Sequence, residues 1–152
     1  MAVFCEQGAH GTSVYHGWGI PMVPGYEQCT ARFTPDGILE LRIGVHSHGQ
    51  GLETSMAQVA HTVLGIDIAK VRVIHGDTGM TPYSTGTWGS RCAVMAGGAV
   101  GTACEQLAER IKVMAGVLLE TDAKLMTLKD GTVGVQDSVK RLSLSEIAHT
   151  WY

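Results

Sequence analysis

Two glycine-rich segments, each between a strand-like run and a helix-like run, constrain this chain more than any other feature. The first is His46-Ser47-His48-Gly49-Gln50-Gly51. The second runs from Gly76 to Arg91 and holds four glycines, four threonines and two serines. Glycine loses more backbone freedom on folding than any other residue. A chain with 20 glycines in 152 residues therefore needs local reasons for them. A strand-to-helix junction leaves unpaired N–H groups at the helix start, and with the helix dipole they favour an anion. In the first loop, Gly49 and Gly51 let a ligand approach the backbone, and the Gln50 amide can donate and accept at once. A tight turn that needs glycine for its torsions stays open as the plainer reading. The second loop is longer than a compact domain ordinarily tolerates without a function. Its hydroxyls, its amides and Arg91 could cradle a diphosphate, and a mobile surface loop is the alternative. No Gly-Lys-Ser or Gly-Lys-Thr is present, so it is not a Walker loop, and its glycine spacing is not that of a Rossmann fingerprint. Two such junctions side by side suit a dinucleotide-like ligand, one with a diphosphate and a polar heterocycle.

The rest of the chain predicts an α+β fold, a mixed sheet and helices in two layers. Residues 1–25 are rich in Gly and Pro, show no period, and read as an irregular lead-in. Tyr26–Phe33 and Ile38–Val45 read as a hairpin around Thr34-Pro35-Asp36-Gly37, with Leu39, Leu41 and Ile43 on one face and Glu40 and Arg42 on the other. Residues 52–64 predict a helix with Leu52, Met56, Val59 and Val63 on one stripe and Gly65 as its stop. Val71–Ile74 reads as a short strand. Residues 93 to about 119 read as a long helix with Val100, Cys104, Leu107, Ile111, Met114 and Leu118 on its apolar side. Gly97, Gly98 and Gly101 in it predict close approach of another backbone. Residues 125–135 read as a second hairpin around Asp130-Gly131, and 143–151 as a last helix. The sequence reaches Tyr152 without a cap or a breaker, which predicts a fragment or a split subunit. The domain boundary falls after residue 25, with 26–152 as one partial binding domain.

Composition narrows the classes. Hydrophobic residues make up 45% and charged residues 16%, which fits a globular chain. The net charge is -3 with no clustered Lys and Arg, which argues against nucleic acid. No apolar run is long enough to span a bilayer, and the start has no basic, apolar signal pattern. Cys5, Cys29, Cys92 and Cys104 make no paired or zinc spacing, so a reduced, cytoplasmic setting is expected. Cys5, Cys29 and Cys104 read as core fillers. Cys92, beside Arg91 at a helix start, is either a small core residue or a ligand contact. His46 and His48, two apart, could face one metal, but no Cys, Asp or Glu completes a set and a polar pair is the plainer reading. His75 with Asp77 could do acid–base chemistry, yet an Asp beside a glycine loop more often caps its own turn.

Gly44-Val45-His46-Ser47-His48-Gly49-Gln50-Gly51-Leu52-Glu53-Thr54, followed by Met56-Ala57-Gln58-Val59-Ala60, resembles the Gly-Gln-Gly segment of molybdenum hydroxylase large subunits, the xanthine oxidase, aldehyde oxidase and aerobic carbon monoxide dehydrogenase family. Gly76-Asp77-Thr78, Pro82-Tyr83 and Gly86-Thr87-Trp88-Gly89-Ser90-Arg91 resemble that family's second cofactor loop. The resemblance covers roughly Tyr26 to Glu120. It implies molybdopterin cytosine dinucleotide as cofactor and hydroxylation of an aldehyde, an N-heterocycle or a carbon monoxide-type carbon with oxygen from water. It implies an iron–sulfur subunit, an FAD subunit and the remainder of the large subunit as partners. It places Gln50 at the pterin near the metal, with Gly49 and Gly51 beside it as cofactor-binding residues, and Thr87, Gly89, Ser90, Arg91 and Cys92 along the pterin and diphosphate. The string around Arg91 is nearest the carbon monoxide dehydrogenase branch, with Trp88 where Tyr and Cys92 where Ser is expected. The family's earlier glycine-rich loop, its special cysteine and its late Gly-x-Gly-Glu segment have no counterpart in the sequence, so no catalytic base is assigned. A non-catalytic binding or assembly module of the same fold is the second reading.

Overall fold

The turn predicted at Thr34–Gly37 forms, closed by Gly37 N–H donating to Thr34 O at 2.9 Å and Thr34 N–H to Ile38 O at 2.9 Å. A computed structural model of the chain describes residues 1–4, 8–21, 23 and 25–152, so the expectations at Cys5 and Pro24 lie outside the described residues. The turn joins β1, Cys29–Phe33, to β2, Leu39–Ile43, in an antiparallel pair with Ala31 opposite Leu41. Leu39, Leu41 and Ile43 are fully buried, as their alternation predicts. Glu40, on the other face, is also buried. It is tolerated there because three arginines reach its carboxylate: Arg32 Nε at 2.8 Å, Arg72 Nη1 at 3.3 Å and Arg42 Nη2 at 3.4 Å. The first strand is shorter than predicted, beginning at Cys29 rather than Tyr26.

From β2 the chain passes through the first glycine loop into α2, Leu52–Leu64, which Gly65 ends in a left-handed conformation with φ 65°. A single 3-10 turn at Ile68–Lys70, capped by the Asp67 carboxylate, leads into β3, Val71–Ile74. β3 lies parallel to β2, with Val73 opposite Leu41, so the first sheet is mixed and ordered β1-β2-β3. The buried stripe of α2 is Leu52, Met56, Ala60 and Leu64, with Ala57, while Val59 and Val63 pack at its margin. Between residues 52 and 64 the buried stripe is thus rotated slightly from the one predicted, toward Ala57 and Ala60.

The second glycine loop ends in a π-helical turn, Cys92–Ala96, that runs into α3, Gly97–Leu118. α3 packs on α2 and on β1, burying Val100, Cys104, Ala108, Ile111 and Ala115. Leu118 is exposed, contrary to its place on the predicted stripe. Gly97, Gly98 and Gly101 do not receive another backbone closely, whereas Gly116 does, since a Cβ there would stand 2.7 Å from Thr121 O. A Cβ on Gly97 would stand 3.8 Å from Met56 Cε and one on Gly101 3.9 Å from Val59 Cγ1, both side chains of α2, and one on Gly98 would meet nothing within 4 Å.

A second, antiparallel sheet follows: β4, Met126–Lys129, β5, Thr132–Val135, and β6, Arg141–Ser143, in that order. Asp130 and Gly131 turn the first two strands with φ 49° and 70°, the torsions of a two-residue hairpin that matches strand twist. β6 was not predicted, since three residues show no alternation. It is held by Arg141, whose guanidinium donates to Thr127 O at 2.8 Å and Thr132 Oγ1 at 2.8 Å. α4, Leu144–Trp151, starts from a capping box: Glu146 N–H donates to Ser143 Oγ at 3.1 Å and Ser143 N–H to Glu146 Oε2 at 2.7 Å. Met126, Val133, Leu144 and Ile147 join the residues of the first sheet in one core. The architecture is α+β, as expected.

The lead-in departs most from expectation. It contains a six-residue helix, α1, Thr12–Gly17. Its Tyr15 is buried edge-on against His10 and Trp18, with the ring 5.2 Å from that of Trp88. Ala9 N–H donates to Gly89 O at 2.7 Å. Residues read as an irregular approach therefore form the underside of the second loop.

Candidate functional site

Gly44 follows β2 where no side chain fits: a Cβ there would stand 2.3 Å from Ser84 Cβ and 2.7 Å from Pro82 O. The second loop thus lies directly on the chain as it leaves the sheet for the first loop. Thr87 completes the junction. Its hydroxyl accepts from His46 N–H at 2.8 Å and donates to His46 O at 2.5 Å, so one side chain satisfies both backbone groups of a residue in the other loop.

The two loops enclose an open cleft of about 420 Å³, lined by Gln50, Leu52, Thr87, Gly89, Ser90 and Cys92 among others. Gln50 is folded across its own loop. Its Oε1 accepts from His48 N–H at 2.6 Å, and its Nε2 lies 3.8 Å from Cys92 Sγ, which in turn donates to Thr87 Oγ1 at 3.6 Å. Six of the eight expected site residues, Gln50, Thr87, Gly89, Ser90, Arg91 and Cys92, thus line one cleft, and Gly49 and Gly51 flank Gln50 beside it.

Gly51 precedes α2 with φ 76°, a left-handed value open to glycine at little cost, and no side chain caps the helix. A Cβ at Gly49 or Gly51 would meet no heavy atom within 4 Å, so their backbone faces open space. Among the described residues, the N–H groups of Trp88, Gly89 and Ser90 have no protein acceptor. Ser90 holds a left-handed backbone, φ 57°, which the surrounding contacts must impose. An uncapped helix start facing open space and a row of unpaired N–H groups are what a diphosphate needs.

Arg91 has other partners than the expected diphosphate. It is 1% exposed. Its guanidinium donates to Gly86 O at 2.9 Å and Tyr26 O at 2.9 Å, and it forms an ion pair with Glu27. The charge expected to face the ligand thus holds the loop from behind. Sequence reasoning missed Glu27, Gly44, Ser84 and Tyr15. Gly44 alone carried a local clue, a glycine following an otherwise regular strand.

His46 and His48 meet, Nε2 to Nε2 at 3.0 Å, but no third ligand joins them, and among the described residues no three metal-binding side chains cluster. Asp77 caps its own turn, accepting from Gly79 N–H at 2.8 Å, while His75 bonds Glu53 at 2.7 Å instead. Burial pushes the Cys29 thiol up to about 12 and the Cys104 thiol up to about 11, as expected of core fillers. A smaller concavity, about 120 Å³, lies between β1, α3 and α4 against Phe33, Leu107, Ile111 and Ile147, and is mainly apolar. Among the described residues no helix is long and apolar enough to cross a membrane.

The family model of the molybdopterin cofactor-binding domain matches residues 4–152. The chain belongs to that family. The domain is 31% identical to the nicotine 6-hydroxylase large subunit of Paenarthrobacter nicotinovorans, over 100% of the chain and 19% of that protein. It is 35% identical to the carbon monoxide dehydrogenase large chain of Hydrogenophaga pseudoflava, over 64% of the chain and 12% of that protein. The crystal structure of quinoline 2-oxidoreductase from Pseudomonas putida 86 superposes with a TM-score of 0.83 at 33% identity, covering 94% of the chain and 18% of that structure. The domain therefore spans less than a fifth of each of these relatives. It is the molybdopterin cofactor-binding domain found in molybdenum hydroxylase large subunits, and the cofactor it serves is the molybdenum cofactor.

Proposed function

We propose that the domain seats molybdopterin cytosine dinucleotide in a molybdenum hydroxylase that oxidises an aldehyde, an N-heterocycle or a carbon monoxide-type carbon. The observation that carries this reading is the Thr87 hydroxyl bridging to His46, which brings both glycine loops to one cleft. Gly49 and Gly51 give a close backbone approach, and Gln50 offers an amide edge to the pterin. Thr87, Gly89, Ser90 and Cys92 line the pterin and diphosphate, and Arg91 contributes by fixing the loop. When bound, the cofactor supplies the redox centre that places oxygen from water on carbon. The domain's own residues bind and orient it, with backbone N–H groups turned to the anionic diphosphate. No residue of the domain is assigned as catalytic base.

The remainder of the large subunit, an iron–sulfur subunit and an FAD subunit complete this assembly in the cytoplasm. Val113, Val117 and Leu118 on α3, with Trp151 on α4, form an exposed apolar strip that supports docking of further large-subunit polypeptide. The test is co-expression with the neighbouring reading frames, purification through a tag, and assay of metal and acid-released nucleotide. Molybdenum and a cytidine nucleotide in equal amounts support the reading. A folded, partnered complex with neither overturns it.

A further inference from the structure

Glu27 lies outside both loops, yet its side chain is 0% exposed and paired with Arg91. Ser84 Oγ donates to Glu27 Oε1 at 2.6 Å and itself accepts from Gly86 N–H at 2.9 Å. Arg91 Nη1, bound to the same carboxylate oxygen, donates to Gly86 O at 2.9 Å. Gly86 is therefore held by its N–H through Ser84 and by its C=O through Arg91, and both holders converge on Glu27. The next residue is Thr87, whose hydroxyl fixes His46 and with it the first loop. One buried carboxylate stands behind the whole linkage from the Tyr26–Glu27 segment to Gln50.

A buried ion pair is a poor device for stability alone, because removing both charges from water offsets their attraction. What it provides that apolar packing does not is direction, since the planar guanidinium fixes three acceptors at once. We propose that Glu27 is a positioning residue: through Ser84 and Arg91 it sets the second loop at the spacing from the first that a bound dinucleotide needs. This rests on the cleft being the cofactor's seat. Glu27 touches no ligand and acts through Arg91, Ser84 and Gly86.

The experiment uses the purified complex and three variants. Ser84→Ala removes the bond to Glu27 and the bond from Gly86 N–H, and leaves the charges paired. Glu27→Gln removes the charge and keeps the shape. Glu27→Asp keeps the charge and withdraws it by one methylene. Three quantities are measured: retained nucleotide per chain, the melting temperature, and the iodoacetamide labelling rate of the Cys92 peptide, read by mass spectrometry. Cys92 reports the spacing because its Sγ lies between Thr87 and Gln50. The expected result for Ser84→Ala is at least about a tenfold loss of retained nucleotide, the factor that its bond to the charged carboxylate alone would give. Labelling of Cys92 should quicken while melting stays close to that of the parent. Glu27→Asp should fall between the parent and Glu27→Gln. Parent-like nucleotide retention and Cys92 labelling in a folded Ser84→Ala protein overturn the proposal, even if Glu27→Gln fails to fold. A parent complex without nucleotide instead overturns the cofactor reading. The labelling comparison then decides the positioning role by itself, faster labelling supporting it and equal rates refuting it.

Discussion

Replacing Thr87 by valine removes one hydroxyl at nearly constant volume. That hydroxyl makes two bonds to the His46 backbone, at 2.8 and 2.5 Å, and accepts a weak third from Cys92 at 3.6 Å. Each ordinary bond is worth roughly 0.5–1.5 kcal/mol net, so separating the loops becomes easier by about 1–3 kcal/mol. At 1.4 kcal/mol per factor of ten, that is roughly a 5- to 150-fold shift toward the unlatched arrangement. His46 is at the surface, so water replaces the lost partner and the fold should hardly suffer. The assay is nucleotide retained by the purified complex after a standard wash, read beside the melting temperature. Thr87→Ser, which keeps the hydroxyl, should behave like the parent. Full retention in a folded Thr87→Val protein would refute the idea that this contact sets the cleft.

Three further outcomes are expected. Gln50→Ala should lower cofactor retention more than melting temperature, because the residue sits on a polar loop and joins no core; equal loss of melting temperature in the cofactor-free protein would contradict this. Gly44→Ala should push the Pro82–Ser84 segment off the end of β2, since its Cβ would stand 2.3 Å from Ser84, and it should cost about 1–3 kcal/mol in chemical denaturation; an unchanged unfolding midpoint would show that the approach is slack. Hydrogen bonding from Arg32, foremost, holds the Glu40 carboxyl below the usual carboxylate range. A carboxyl lowered in the folded state adds stability above its unfolded pKa and loses it as pH falls through the folded value. Melting temperature followed from neutral pH into acid should thus fall less steeply in Glu40→Gln than in the parent, and parallel curves would dismiss the linkage.

The features legible in the sequence are those with local causes. Asp130-Gly131 forces its turn through its own torsions, Ser143 with Glu146 caps α4 within one turn, and Leu39, Leu41 and Ile43 show their face by alternation. Both glycine loops stood out because their composition departs from the flanking elements. What escaped depends on distant partners. α1 has no side-chain cap and is held by Tyr15 against Trp88 across the fold. Arg91 reads as a loop cation until Glu27, 64 residues away, is seen to bury it. No periodicity reports such a pairing, and the same arginine in another setting would serve the anion directly.

On the proposed reading, the two glycine loops together seat the cofactor's pterin and diphosphate. An experimental structure of the loaded complex tests it most directly. The expected result is the pterin on the Gln50 amide and diphosphate oxygens within hydrogen-bonding distance of backbone N–H groups in Trp88–Ser90, with the Arg91 guanidinium still on Glu27. A diphosphate bound elsewhere, or an Arg91 side chain swung out onto it, would show that the loops do not form this seat.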